Sequence, residues 1–151
     1  MSITEFFYQF FISFCGTVAF GALFQVPLKQ YLFCGITGAA GWVLYVWMMK
    51  IQTSPVLASL VAVLLLTALA RLFSTRRKAP ITVFLLCGIF PLVPGAGIYY
   101  TAYYFIMGET TQTAIKGAET IKIAGALALG MVLVLGLPNR LFQPVFQKKQ
   151  N

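Results

Sequence analysis

The chain has 151 residues, of which 60% are apolar and only 9% charged, with a mean hydropathy of +0.86 and a formal net charge of +8. Soluble domains carry roughly 25% charged residues, so 14 charged side chains cannot cover a water-facing surface of this size, and lipid must be the solvent for most of it. The basic residues fall between apolar runs rather than on one solvated face, which argues against nucleic acid and for loops that face an anionic membrane leaflet.

Cys15, Cys34 and Cys87 are odd in number, widely spaced and each set inside an apolar run, so they read as small helix residues and not as a disulfide or metal framework. Histidine is absent, and with it the commonest metal ligand and general base. No cofactor or metal is called for. The first residues, Met1 to Glu5, put no basic side chain ahead of the first apolar run, so this run is expected to be a retained helix.

In chain order, the charge-free windows are residues 6–28, 30–49, 51–70, 79–108 and 123–139. At ~1.5 Å per residue, a helix needs about 20 residues to cross the hydrocarbon. The windows therefore predict an all-α, polytopic membrane protein of a single domain spanning 1–151. Its five helices are expected at about 5–26, 31–49, 54–73, 80–107 and 120–138. The fourth window is too long for one crossing and too short for two.

Five crossings put eight Lys and Arg residues on one side (Lys29, Arg71, Arg76, Arg77, Lys78, Arg140, Lys148, Lys149). The other side holds Lys50, Lys116 and Lys122 with all three acids, Glu5, Glu109 and Glu119. The excess of cations should be cytoplasmic, which places the N-terminus outside and the C-terminus inside an inner membrane. Reading the fourth window as a re-entrant hairpin weakens that bias. Trp42, Tyr45 and Trp47, and the group Tyr99, Tyr100, Tyr103 and Tyr104, sit where rings would lie at the headgroup level, or else pack between helices.

Residues 109–122 form the one long polar stretch. Ala114, Ile115, Ala118 and Ile121 recur at helical spacing, with Lys116, Glu119 and Lys122 on other faces. An interfacial helix running into a short last crossing is expected, with a plain extracellular loop as the alternative.

The fourth window contains Pro91-Leu92-Val93-Pro94-Gly95-Ala96-Gly97-Ile98-Tyr99. Two prolines remove backbone donors and clash with the preceding turn, so a regular helix cannot pass straight through. Unpaired backbone costs several kcal/mol per group in lipid and survives only against protein or a watery cavity. Two half-helices, roughly 80–90 and 96–107, are expected around an unwound midpoint. The second half-helix would offer free N–H groups and a partial positive charge to a carboxylate. The candidate solute contacts are Pro91, Pro94, Gly95, Ala96, Gly97, Tyr99, Tyr100 and Thr101. A kink shaped only for packing is the competing explanation. In the second helix, Gly35-Ile36-Thr37-Gly38-Ala39-Ala40-Gly41 suits close helix packing, with Thr37 and Gly38 as further candidate contacts.

No Ser–His–Asp set, apolar carboxylate pair, metal-ligand spacing or phosphate loop is present, so no enzyme is expected. The acids sit at window edges. A proton carrier for coupled transport would then come from another chain, or be Glu109 or Glu119.

Four stretches together resemble the threonine/serine exporter family. They are Phe24-x-Val26-Pro27, Cys34-Gly35-x-Thr37-Gly38-Ala39-x-Gly41-Trp42, Lys78-Ala79-Pro80, and Pro91-Leu92-Val93-Pro94-Gly95-x-x-Ile98-Tyr99. The chain is most similar to the small-subunit form, as in the two-component succinate exporters of enteric bacteria, over about residues 5–140. The resemblance implies an inner-membrane exporter subunit paired with a larger polytopic subunit of the same family, a homo-oligomer, or both. The solutes implied are threonine and serine first, then a succinate-like dicarboxylate. A structural or assembly subunit and a holin-like pore former are the alternative functions.

Overall fold

A computed structural model describes residues 2–138, and every element in it is helical. Six α-helices follow one another: α1 (Ile3–Leu23), α2 (Tyr31–Lys50), α3 (Pro55–Arg77), α4 (Ile81–Ile89), α5 (Gly95–Ile106) and α6 (Thr110–Leu135). Short 3₁₀ turns at Leu28–Gln30 and Phe90–Leu92 precede α2 and follow α4.

The helix ends follow from local chemistry. After α1, Gln25 turns left-handed (φ 54°), and the N–H groups of Gln25 and Val26 bond back to Ala22 and Gly21, so two orphan carbonyls are closed before Pro27 forbids continuation. The same closure recurs after α2 at Gln52 (φ 58°) and after α5 at Gly108 (φ 75°). Lys78 (φ 50°) ends α3 ahead of Pro80. At the start of α3, the Ser54 hydroxyl accepts from the Leu57 N–H at 3.4 Å, with Pro55 in the first helical position.

Four helices are long and apolar enough to cross a membrane: Ile3–Leu23, Leu28–Lys50, Pro55–Arg77 and Thr110–Leu135. The pair Ile81–Leu92 and Gly95–Ile106, bent by 51°, makes a fifth if taken as one span. The contacts favour one broken span. On α3, Leu60 and Val63 face Gly130 of α6, and further along Arg71 reaches the carbonyls of Val134 and Leu135. The two helices therefore run in the same direction, and the α4–α5 pair between them must travel from one end of the bundle to the other.

Small residues set the interhelical distances, because lipid tails give no hydrophobic drive for helix association and close approach must supply it. A Cβ on Gly38 of α2 would run into the Thr17 side chain of α1, and one on Gly35 into the Phe14 ring. A Cβ on Gly88 of α4 would lie only 3.1 Å from the Thr37 methyl, and one on Gly41 the same distance from Leu66 of α3. Polar ties complete the frame. Trp42 donates to the Gln9 side chain at 2.8 Å, Glu5 pairs with Lys50, and the ring of Phe20 stacks on Phe90 at 4.0 Å. The outward faces carry Phe7 and Phe11 on α1 and Leu129, Val132 and Leu133 on α6, all largely exposed, as lipid contact requires.

Loop charges sort by end of the bundle. Arg77 at the end of α3 bonds the Gln30 side chain and the Lys29 carbonyl at the turn between α1 and α2, while the Glu5–Lys50 pair marks the opposite end. The cations Arg140, Lys148 and Lys149 lie outside the described residues.

The polar stretch differs from expectation. Residues 110–135 form one continuous helix of 26 residues, about 39 Å long at ~1.5 Å per residue, with no boundary between an interfacial part and a crossing. The hydroxyls of Thr113 and Thr120 bond their own i−4 carbonyls, so these threonines do not compete with the helix. Its polarity is also turned inward. Ile115 and Ile121 are 54% and 73% exposed, whereas Thr113, Lys116, Gly117, Glu119 and Thr120 are half-buried.

Candidate functional site

The broken segment owes its shape to its two prolines. Pro91 cannot donate to the Cys87 carbonyl, nor Pro94 to that of Phe90. The Val93 N–H turns back to Phe90 and Ile89 instead, at 3.2 Å each. Pro94 adopts φ −75°, ψ 58°, and the Gly95 N–H bonds the Val93 carbonyl at 2.7 Å, which is an inverse γ-turn. The Ile98 N–H is the first to bond in the α-helical pattern, to Pro94 at 3.0 Å. Among the described residues, the Ala96 and Gly97 N–H groups find no main-chain acceptor. They point from the positive end of α5, a 12-residue helix.

Beyond the break, α5 packs chiefly on α6. A Cβ on Gly97 would run into the Thr120 hydroxyl, and one on Gly117 would lie 3.4 Å from the Thr101 methyl, so the two helices are antiparallel and close. Because α5 swings away by 51°, this arm stands off from α2 and α3 and leaves a cleft of about 590 Å³. That is within the ~300–1,000 Å³ of small-molecule sites. Its floor is Pro91–Gly97. Its walls are Trp42, Tyr45 and Met49 of α2, Pro55 and Ser59 of α3, Tyr100 of α5, and Lys116, Glu119, Thr120 and Ile123 of α6. The Lys116 ammonium pairs with the Glu119 carboxylate at 3.2 Å, each side chain about 40% exposed. Ser59 is only 1% exposed and its hydroxyl has no hydrogen-bond partner among the described residues. A second depression, of about 610 Å³ between α1 and α2, is almost wholly apolar, with walls that include Phe6, Phe10 and Trp47.

The structure gathers Pro91, Pro94, Gly95, Ala96, Gly97 and Tyr100 at the cleft. Tyr99 stacks on Tyr103, 63% exposed and away from it, and the Thr101 hydroxyl is taken up by the Gly97 carbonyl at 2.7 Å. Thr37 and Gly38 lie elsewhere. Thr37 is fully buried with its hydroxyl on the Phe33 carbonyl, and Gly38 is pressed against Thr17. Sequence reasoning missed Ser59, Lys116 and Thr120, and named Glu119 only as a candidate proton carrier. A signal was present: Thr113, Lys116, Thr120 and Ile123 recur at helical spacing, as one face.

A polytopic helical protein whose broken helix lines a polar cleft has the architecture of a membrane protein that handles small solutes. The profile of the family described as "Threonine/Serine exporter, ThrE" matches residues 9–136, and the chain belongs to that family. The family is one of transporters rather than enzymes. A relative is a probable threonine/serine exporter of Mycobacterium tuberculosis (strain ATCC 25618 / H37Rv), 28% identical over 123 residues, which is 81% of this chain. The match covers only 22% of that protein, so this chain spans about a fifth of the relative's length. No solved structure matches the chain significantly.

Proposed function

We propose that the chain is one subunit of a membrane exporter of small, carboxylate-bearing solutes, with threonine and serine preferred and a succinate-like dicarboxylate next. It works with a larger polytopic subunit of the same family, or with further copies of itself. The reading is carried by one observation: free Ala96 and Gly97 amides at a helix N-terminus, opening on a cleft that holds both charges of an amino acid in its walls. A carboxylate at those amides meets the helix dipole and two donors at once. The relative's printed name supplies the solutes.

The charge sorting supports an inner-membrane orientation with the Lys29 and Arg77 end in the cytoplasm. In that orientation the cleft lies toward the outer end, as in an outward-facing state. The described helices are too few to enclose a gated route, so the exposed apolar faces of α1 and α5 are read as the contact with the partner subunit.

The experiment is threonine export from cells loaded with a threonine-containing dipeptide, with and without a co-expressed larger subunit. Gly95→Leu is the informative variant, because a Cβ at Gly95 meets nothing within 4 Å and the added side chain occupies open space rather than breaking a contact. Loss of export from an intact complex is the expected result. Unchanged export in this variant would make the chain a scaffold.

A further inference from the structure

An ion pair one turn apart on a helix is usually a solvated ornament that contributes little. The Lys116–Glu119 pair is placed differently. It lies on the half-buried face of α6, in the wall of the cleft, while Ile115 and Ile121 of the same helix are the residues turned outward. Of the three charges on α6, Lys122 is exposed and away from the cleft, whereas Lys116 and Glu119 both stand in its wall, where a polar occupant can meet them. Ser59 points to the same occupant independently. It is buried, lines the cleft, and its hydroxyl is unpaired among the described residues. Unlike the enclosed Thr67 hydroxyl, that of Ser59 opens on the cleft, where an occupant can bond it.

The cleft therefore contains one carboxylate, one ammonium, two free amides and the Ser59 hydroxyl, besides the phenols of Tyr45 and Tyr100. We propose that the Lys116–Glu119 pair is the charge filter of this cleft and selects a zwitterionic α-amino acid over a dicarboxylate. Glu119 takes the solute's ammonium. Lys116, with the Ala96 and Gly97 amides, takes its carboxylate. A side-chain hydroxyl, where the solute has one, completes Ser59. The solute replaces the internal pair ion for ion, so neither Lys116 nor Glu119 is left uncompensated in the loaded state. A dicarboxylate can satisfy Lys116 and the amides but sets its second carboxylate against Glu119, where like charges repel.

This rests on the reading of the cleft as the solute site, and the experiment separates the two. The full chain, with its co-expressed larger subunit, is placed in lipid nanodiscs and the binding of labelled L-threonine is measured. Succinate, N-acetyl-L-threonine (no ammonium) and L-threoninamide (no carboxylate) serve as competitors. Wild type should prefer threonine to both succinate and N-acetyl-threonine by about tenfold or more. Glu119→Gln should lose most of that preference while still binding succinate, and Glu119→Asp should regain part of it. Lys116→Met should weaken threonine and succinate alike but leave threoninamide unchanged. If Glu119→Gln keeps the wild-type threonine-to-succinate ratio while Gly95→Leu abolishes binding, the filter is wrong and the site stands. If Gly95→Leu also binds as wild type does, or wild type binds neither solute, both ideas fail together.

Discussion

The helix interfaces and the cleft use small residues for opposite ends. In the bundle of α1 to α4, Gly35, Gly38, Gly41 and Gly88 each face a neighbouring side chain at contact distance or closer, and the polar groups there are buried and mostly bonded locally. On α5 and the first half of α6, Gly95 and Gly125 face open space, as Gly16 does on α1, whereas Gly130 further along α6 packs on α3; α5 has no buried residue, and polar side chains line the cleft. Gly97 alone in α5 does packing work, holding the arm together against Thr120. Glycine in the first region lets backbones touch, whereas at Gly95 it leaves room for something that is not protein. The same residue type thus marks scaffold in one place and site in another, and only its surroundings distinguish them.

The sharpest way to break the comparison is to add the same side chain to both regions. Gly38→Leu should force α1 and α2 apart at Thr17, which overpacking places at about 3 kcal/mol or more of lost stability. Thermal unfolding in detergent and the monodisperse fraction by size-exclusion chromatography read the effect. Gly95→Leu should stay within about 0.5 kcal/mol of wild type by the same measurement, as a substitution that disturbs no contact. Equal losses in the two variants would abolish the distinction.

Next in size is the lock that ends α6. Arg71, 9% exposed, donates to the Val134 and Leu135 carbonyls at 2.6 and 3.3 Å, and so caps the negative end of the helix with a buried cation. Arg71→Leu should cost about 1.5–3 kcal/mol, the range for hydrogen bonds to a charged group. The loss should appear as a lower unfolding temperature, with hydrogen exchange speeding up first near the end of α6. A uniform change along all helices would remove the local capping account.

Much of this was legible in the chain because hydropathy reports what lipid requires, and the prolines report where a helix must stop. The windows and Pro91 and Pro94 led to the helices and the break. Thr37 and Gly38 were ambiguous for a physical reason: a small residue needed for close approach and one needed for ligand access look alike until the neighbour is known, and the neighbour was Thr17. The helical spacing of Ala114, Ile115, Ala118 and Ile121 did not by itself say which face of α6 turns inward. In water an apolar stripe does so, but in this protein Ile115 and Ile121 face outward and Lys116, Glu119 and Thr120 line the cleft. Ser59 gave no signal, since its importance lies in having no partner.

The smallest expected effect tests the bundle half on its own terms. Thr67 is fully buried on α3, and its hydroxyl has no hydrogen-bond partner among the described residues, unlike the buried hydroxyls of Thr17 and Thr37, which bond the carbonyls of Ser13 and Phe33. An unsatisfied buried polar group costs about 1–3 kcal/mol, and an apolar group of the same shape does not incur that cost. If the region is scaffold, Thr67→Val should leave export unchanged and raise stability by about 1 kcal/mol, a rise of a few degrees in unfolding temperature. A drop in export with raised stability would mean that the unpaired hydroxyl serves the solute. Ser59, Thr67 and Arg71 share one face of α3, with Val63 between the first two, and the boundary between scaffold and site would then have to be moved into the bundle.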